Sequence, residues 1–273
     1  MAANPKLNGC KATSGIEIFT FATPNGYRPT ILLEELKDAY GLKYSAQCIN
    51  LGDKTHKEPW YLEICPNGKI PAIVDHDNGD FRLFESAAIM NYLCRMYDTN
   101  HMFYFVDFKD STLADQWLFW HVGDMLPTQS YAHQFFRSLP ESDAFATQKF
   151  VGEAARSYGV LNSALEGRDY LVGPNRGTYS IADIANFAFV NFSGSAGLGR
   201  DLKMWPNVER WWKAIYARPA VKRGLKTPME NPIENYTLWK KIEEDEEFKQ
   251  KEEELEAHLK KGQEQYKYVY QSV

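Results

Sequence analysis

Two short stretches of this chain hold residue types that could grip or activate a small polar ligand. In the first, Asn67-Gly68-Lys69-Ile70-Pro71-Ala72-Ile73-Val74, a proline stands just ahead of an apolar run that reads as a strand. Proline has no N–H to give to a ladder, so it takes a first or an edge position. A cis Ile70–Pro71 bond would turn the main-chain N–H and C=O of Ile70 outward, where an extended peptide could pair with them strand to strand. A trans proline in an ordinary loop is the plainer alternative. In the second stretch, Glu85-Ser86 follow a turn and open a helix. Helix-start amides and the dipole favour an anion there, so Ser86 suits a carboxylate while Glu85 suits an ammonium. Together they fit the α-amino acid end of a γ-glutamyl peptide. A simple helix cap is the alternative, which the serine alone would satisfy. The four cysteines, Cys10, Cys48, Cys65 and Cys94, form no C-x-x-C pair and no zinc-type spacing with histidine. They read as reduced thiols, with no metal site expected.

The elements that must position these groups follow from the hydropathy pattern. Residues 1–14 read as a flexible leader. Gly15 to Phe21 is rich in β-branched and aromatic residues and reads as a strand. A turn-rich stretch, Ala22 to Pro29, leads into a helix whose apolar spacings run through Ile31, Leu32, Leu33, Leu36 and Ala39. Gly41 ends that helix, and Tyr44 to Ile49 is the next strand. A polar loop runs from Asn50 to about Trp60. Strands at 70–75 and 81–84 flank a turn at Asn78-Gly79, and a helix from Glu85-Ser86 extends to about Tyr97. The order is β-α-β-loop-β-β-α, a small mixed sheet with helices on its faces, over residues 15–98.

A linker is expected at 99–110, followed by an all-helical domain at 111–228. Its helices are read at 111–137, at 142–166 before Gly167, at 181–192, from Trp205-Pro206 through Trp211, Trp212 and Tyr216, and from Pro219. Ser180-Ile181-Ala182-Asp183 resembles a capping box, with Asp in place of Glu. Residues 229–273 are a charged C-terminal extension with a thin apolar stripe of Trp239, Ile242, Leu255 and Leu259. It reads as a solvated helix, and the sharper alternative is a helix packed over a partner subunit or a ligand cleft.

Composition narrows the class. Of 273 residues, 44% are hydrophobic and 25% charged, enough to bury a sizeable core. The net charge of −5 lies in the last 44 residues, where 12 acidic face 7 basic side chains, so the rest is balanced. A body without a basic excess argues against nucleic-acid binding. No apolar run approaches the roughly 20 residues of a membrane span, and no secretory signal is read at the start. A cytoplasmic location is expected.

Taken together, NGKIPAIVD followed by FESAAI resembles the glutathione-binding half of the cytosolic glutathione transferases, and the helical half with its SIADIA box resembles that family's second domain. The resemblance covers about residues 15–228. Thr23-Pro24-Asn25-Gly26-Tyr27 is similar to the Nu class and to the fungal nitrogen-regulator-like branch. It implies an N-terminal thioredoxin-like domain and a C-terminal helical bundle. It also implies glutathione as co-substrate, no metal, and a homodimer. Asn25 would lie near the glutathione sulfur with Thr23 beside it. Ile70, before cis-Pro71, would make the main-chain pair to the cysteinyl unit. Glu85 and Ser86 would hold the γ-glutamyl end, and His56 and Lys69 would reach the glycyl carboxylate. A small apolar electrophile would sit between the domains, with Tyr27, Trp117, Trp120, His121 and Asp124 as candidates, and Met125 and Tyr131 near them. Each of the helix residues has core packing as its plain alternative.

The activity this implies is attack by an activated glutathione thiol on an electrophile, in detoxification or in a secondary-metabolite pathway. Other branches place Tyr, Ser or Cys at the sulfur, and no cysteine stands there in this chain. Glutathione-dependent disulfide reduction, double-bond isomerisation and a non-catalytic regulatory role remain open beside it.

Overall fold

The computed structural model describes residues 9–139, 143–199 and 201–267. Residues 1–8 of the expected leader and 268–273 of the extension lie outside the described residues. The chain divides into two compact units. One runs up to Tyr104 and takes back Ala217–Asn231; the other holds Phe105–Tyr216 and the chain from Pro232.

The first unit is built on a four-stranded sheet: β1 (Ile16–Thr20), β2 (Tyr44–Cys48), β3 (Ala72–Asp75) and β4 (Phe81–Phe84), in the order β2-β1-β3-β4. β1 pairs parallel with β2 and antiparallel with β3, which pairs antiparallel with β4. β1 is central and buried along its whole length, as expected of a strand with neighbours on both edges and helices on its faces. The helices are α1 (Pro24–Tyr40), α2 (Pro59–Ile64) and α3 (Ser86–Tyr97). α1 ends at Gly41 in the left-handed conformation, as its sequence requires. α2 shortens the loop read from Asn50 to about Trp60 by two residues and adds a helix beyond it. Pro59 starts a short helix, and the buried side chains of Tyr61 and Ile64 hold it on the core.

The end of the expected flexible leader is tied down. Gln47 Nε2 donates to the Gly9 carbonyl (2.8 Å), and the amides of Lys11 and Ala12 donate to Glu17 Oε1 (2.8 and 3.2 Å). The boundary expected at 228 also moves. Helix α9 (Pro219–Gly224) packs on α1, where Thr30 Oγ1 donates to the Gly224 carbonyl (2.9 Å). Arg218 grips Glu35 with two hydrogen bonds (2.6 and 2.8 Å), and Arg223 pairs with Glu34 and Asp38 (2.5 and 2.6 Å). These ion pairs and the α1 contact draw 217–231 into the first unit.

The second unit is helical. α4 (Phe108–Trp120) continues through a π-helical stretch, His121–Met125, into α5 (Leu126–His133), and a second π-helical stretch, Gln134–Ser138, ends the rod. Pro127 lacks the donor for a regular turn, and the wider turn before it accommodates the loss. The expected linker is shorter than 99–110, because Asp107 caps α4 through the amides of Lys109 and Asp110. The rod packs against α6 (Ala144–Ala164) and α7 (Ile181–Val190); α8 (Pro206–Tyr216) follows. Every residue of α7 is buried. The capping box forms, and Asp183 accepts from Ser180 N, Leu171 N and Trp211 Nε1 (3.0, 3.0 and 2.9 Å). Burial pushes its carboxyl up to about 6, against those donors.

The C-terminal extension is not a solvated helix. α10 (Asn235–Glu244) and α11 (Glu246–Tyr266) fold back on their own unit, with α11 along α6. Leu238, Ile242 and Leu259 are buried, and Arg137 holds Glu252 with two hydrogen bonds (2.5 and 2.7 Å). The thin stripe suffices because Gly262 lets α11 approach the Ala144 carbonyl closely. No helix among the described residues is long and apolar enough to cross a membrane.

His76, just past β3, joins distant parts of the first unit. Its Nε2 faces Glu17 Oε2 (3.0 Å) and its Nδ1 faces Asp80 Oδ1 (2.6 Å). Burial lowers its pKa, but the hydrogen bonds and charges of the two carboxylates outweigh that, and the net direction is up from 6.5. Stabilisation from a raised pKa is complete below the unfolded value and fades as pH rises through the folded one. His76→Gln should therefore lose most stability in urea unfolding at about pH 5 and progressively less toward about pH 9. A deficit independent of pH would show that the ring only packs.

Candidate functional site

Strand register brings the two stretches together. Phe19 of β1 pairs with Ala72 of β3, and Ala72 pairs with Phe84 of β4. The residues just beyond this row therefore share one edge of the sheet: the turn after Thr20, Pro71 before Ala72, and Glu85 after Phe84. Neighbouring strands are about 4.8 Å apart, so the row spans about 10 Å, the scale of a short extended peptide.

At the β1 end, Thr23 caps α1, with its Oγ1 accepting from Gly26 N (3.1 Å). A threonine oxygen that accepts this bond still carries its hydroxyl proton, which it can donate to a ligand. Gly26 is required, since a Cβ there would meet the Phe21 carbonyl at 2.1 Å. Asn25 is half-buried, and its Oδ1 accepts from Nη2 of Arg28. This contact sets the amide orientation, because a guanidinium and an NH₂ group are both donors. With Oδ1 engaged, Nδ2 is the group left to meet an acceptor such as a sulfur anion. Arg28 itself is buried. Burial draws its guanidinium down to about 9, and the charge of Glu85 opposes that, so it stays a cation at neutral pH. Arg28 escaped the sequence reading. Its position three residues after Asn25, on the same helix face, was the available signal.

At the β3 end the Ile70–Pro71 bond is cis. Ile70 is half-buried, Pro71 is buried and Lys69 is exposed. The loop ahead of them is held by Tyr61, whose hydroxyl donates to the Lys69 carbonyl (2.7 Å), and by Lys57 Nζ on the Gly68 carbonyl (2.6 Å). Gly68 has φ +58°, and a Cβ there would press on the His56 carbonyl at 2.9 Å. His56 lies in the turn Thr55–Lys57, and its Nδ1 is buried without a hydrogen-bond partner among the described residues.

Glu85 has φ +70°, rare for a residue with a side chain and concentrated at functional positions. It precedes α3 without capping it through its side chain, so the exposed carboxylate is not spent on the helix. Ser86 is buried at the first position of α3.

The candidates on helices divide. Tyr27 is fully buried and its hydroxyl donates to the Met229 carbonyl (2.7 Å), so it belongs to the core of the first unit rather than to a substrate cleft. His121 is likewise core, with Nδ1 3.2 Å from Asn186 Oδ1 and its ring against Phe189. Met125 is also fully buried. Asp124 is engaged by Arg156 (2.5 Å) and Ser157 Oγ (2.9 Å). Trp117 and Trp120 are half-buried and meet edge to face at 5.1 Å, and Tyr131 is exposed beside Phe150.

Among the described residues, one group of metal-ligating type comes within 4.8 Å: Cys10, Glu17 and His76. Both His76 nitrogens already face carboxylates. Burial, then the charge of Glu17, pushes the Cys10 thiol up to about 12. The group is a hydrogen-bonded network with a neutral thiol, a poor donor set for a cation.

The chain matches two family profiles, Glutathione S-transferase, N-terminal domain over residues 14–95 and Glutathione S-transferase, C-terminal domain over residues 124–219. It is 37% identical to the disulfide-bond oxidoreductase YfcG of Escherichia coli over 214 residues, covering 77% of this chain and 94% of the relative. It is 33% identical to the glutathione S-transferase-like protein gedE of Aspergillus terreus, covering 80% and 97%. Yeast Ure2p in complex with glutathione superposes with a TM-score of 0.72 at 28% identity, covering 79% and 96%.

Thr23 has a structural duty that is separable from any chemistry. Thr23→Ala should destabilise the protein by about 1 kcal/mol through the lost cap, while Thr23→Ser should stay within a few tenths. Thermal and urea unfolding of both variants test this; an unchanged Thr23→Ala protein would remove the capping role.

Proposed function

Because this chain belongs to the glutathione S-transferase family, in its Ure2p-like branch, we propose that it binds glutathione along the shared sheet edge and activates the thiol for attack on a small apolar electrophile. The observation that supports this reading is the strand register, which sets the turn after β1, the cis Ile70–Pro71 pair and Glu85 along one row, with Arg28 bonded to Asn25 and under the charge of Glu85. Glu85 and Ser86, with the first amides of α3, take the γ-glutamyl ammonium and carboxylate. The main chain of Ile70 pairs with the cysteinyl unit. Lys69 and His56 serve the glycyl carboxylate.

A free thiol has a pKa of about 8.5, so little of it is thiolate at neutral pH. A donor aimed at the sulfur favours the anion, as does the start of a helix. Asn25 Nδ2 supplies the donor, held in orientation by Arg28, and Thr23 adds its hydroxyl proton. In transfer, the sulfur lone pair forms a C–S bond while the leaving group departs with the electrons of the bond it breaks. The thiol proton has already passed to solvent.

A second reading is favoured by the likeness to a disulfide-bond oxidoreductase. The same thiolate would attack a disulfide sulfur, release one thiolate and leave a mixed disulfide, which a second glutathione resolves to oxidised glutathione. Both thiols then come from glutathione. This fits a chain in which burial raises the thiol pKa of Cys10 and Cys94.

Two assays on one preparation test the proposal: conjugation of glutathione to a chloronitroarene, and reduction of hydroxyethyl disulfide by glutathione. Asn25→Ala should lower kcat/KM on the order of ten- to a hundredfold and move the pH profile upward by about a unit or more. Glu85→Ala should abolish glutathione binding in calorimetry while the circular dichroism spectrum is retained. Unchanged affinity in Glu85→Ala would sink the proposal. Disulfide turnover without conjugation would select the second reading.

A further inference from the structure

The second unit holds a cavity of about 340 Å³ that none of the residues discussed above as glutathione contacts lines. One side is formed by the helical body, with Phe136, Val151, Ala155 and Trp205. The other is formed by the C-terminal extension, with Trp239, Ile242 and Leu259. The extension lies outside both matched family profiles, which end at residues 95 and 219. Its helices are fixed over the cavity by the paired hydrogen bonds between Arg137 and Glu252, and by Trp239 packed edge to face on Trp212 at 5.4 Å.

We propose that this cavity is a binding site for an uncharged, largely apolar small molecule. The volume falls in the range of pockets that enclose small ligands, and the lining is predominantly apolar. Its lining includes no lysine, arginine or histidine, so an anion would meet no cation there. The indole Nε1 of Trp239 is buried and has no hydrogen-bond partner among the described residues. Gly194 explains how the indole comes so close to the body, since a Cβ there would meet Leu238 Cδ2 at 2.8 Å and Trp239 Nε1 at 3.2 Å.

The test is a fluorescence titration of the full chain with Nile red, an uncharged dye with a ring carbonyl, and with anilinonaphthalene sulfonate as the anionic comparison. Nile red should bind at one saturable site with blue-shifted emission, and the sulfonate more weakly. Ala155→Phe, which fills the cavity from α6, should weaken Nile red about tenfold or more. Trp239→Ala, which removes an aromatic wall of the cavity, should weaken it about three- to tenfold. Glutathione affinity should be unchanged in both. If Ala155→Phe does not fold, Trp239→Ala decides. Absence of saturable Nile red binding, or wild-type affinity in the folded variants, would overturn the proposal, as would tighter binding of the sulfonate.

Discussion

Beneath the start of α1 lies a guanidinium with almost no exposure to water, and the candidate site is arranged around it. A buried cation is tolerated only when partners compensate its lost hydration. Arg28 finds Asn25 within its own helix and the charge of Glu85 at the end of β4. The first contact turns the Asn25 amide so that its N–H donors face away from the cation. The second is an attraction toward the exposed carboxylate of a residue at an unusual backbone angle. One charge thus links a group suited to a sulfur anion with a group suited to an ammonium, although 60 residues separate Asn25 from Glu85.

The surrounding structure keeps this arrangement in place. β1 is held on both edges, so the turn that leads into α1 leaves from a fixed point. Gly26 allows the helix to begin directly against the Phe21 carbonyl. On its far side α1 is gripped by Arg218 and Arg223, which reach it from a segment nearly 200 residues later. With Glu34 and Glu35 almost fully buried, such paired contacts satisfy charges that would otherwise oppose folding.

The helical unit follows a parallel logic with an anion. Asp183 is buried and survives there by collecting main-chain donors and the Trp211 indole, tying α7 to α8 and to the loop at Leu171. Trp212 does the same for Asn191 (2.9 Å). The extension is joined by the ionic contact of Arg137 with Glu252 and by a buried network in which Asn235 Nδ2 donates to the Val190 carbonyl and Asn191 Nδ2 donates to Glu234 (2.8 and 2.9 Å).

Local chemistry in the sequence determined much of this. The strands, the α1 stop at Gly41, the capping box at Ser180, the proline ahead of β3 and the helix start at Ser86 were legible because each depends on neighbours within a few residues. α2 was not legible, since its few residues are held as a helix by burial of Tyr61 and Ile64 rather than by a periodic pattern. The burial of Tyr27 and His121 was likewise hidden: an aromatic or histidine on a helix has the same spacing whether it faces a core or a cleft. The return of 217–231 to the first unit and the folding back of the charged extension rest on ion pairs across 115 to 189 residues, such as Arg137–Glu252 and Arg223–Glu34. No local pattern encodes such pairs. Only the tertiary structure decided which charges meet, which amide face of Asn25 is free, and where the cavity lies, because each is set by contacts between elements whose spacing in the chain carries no trace of their proximity.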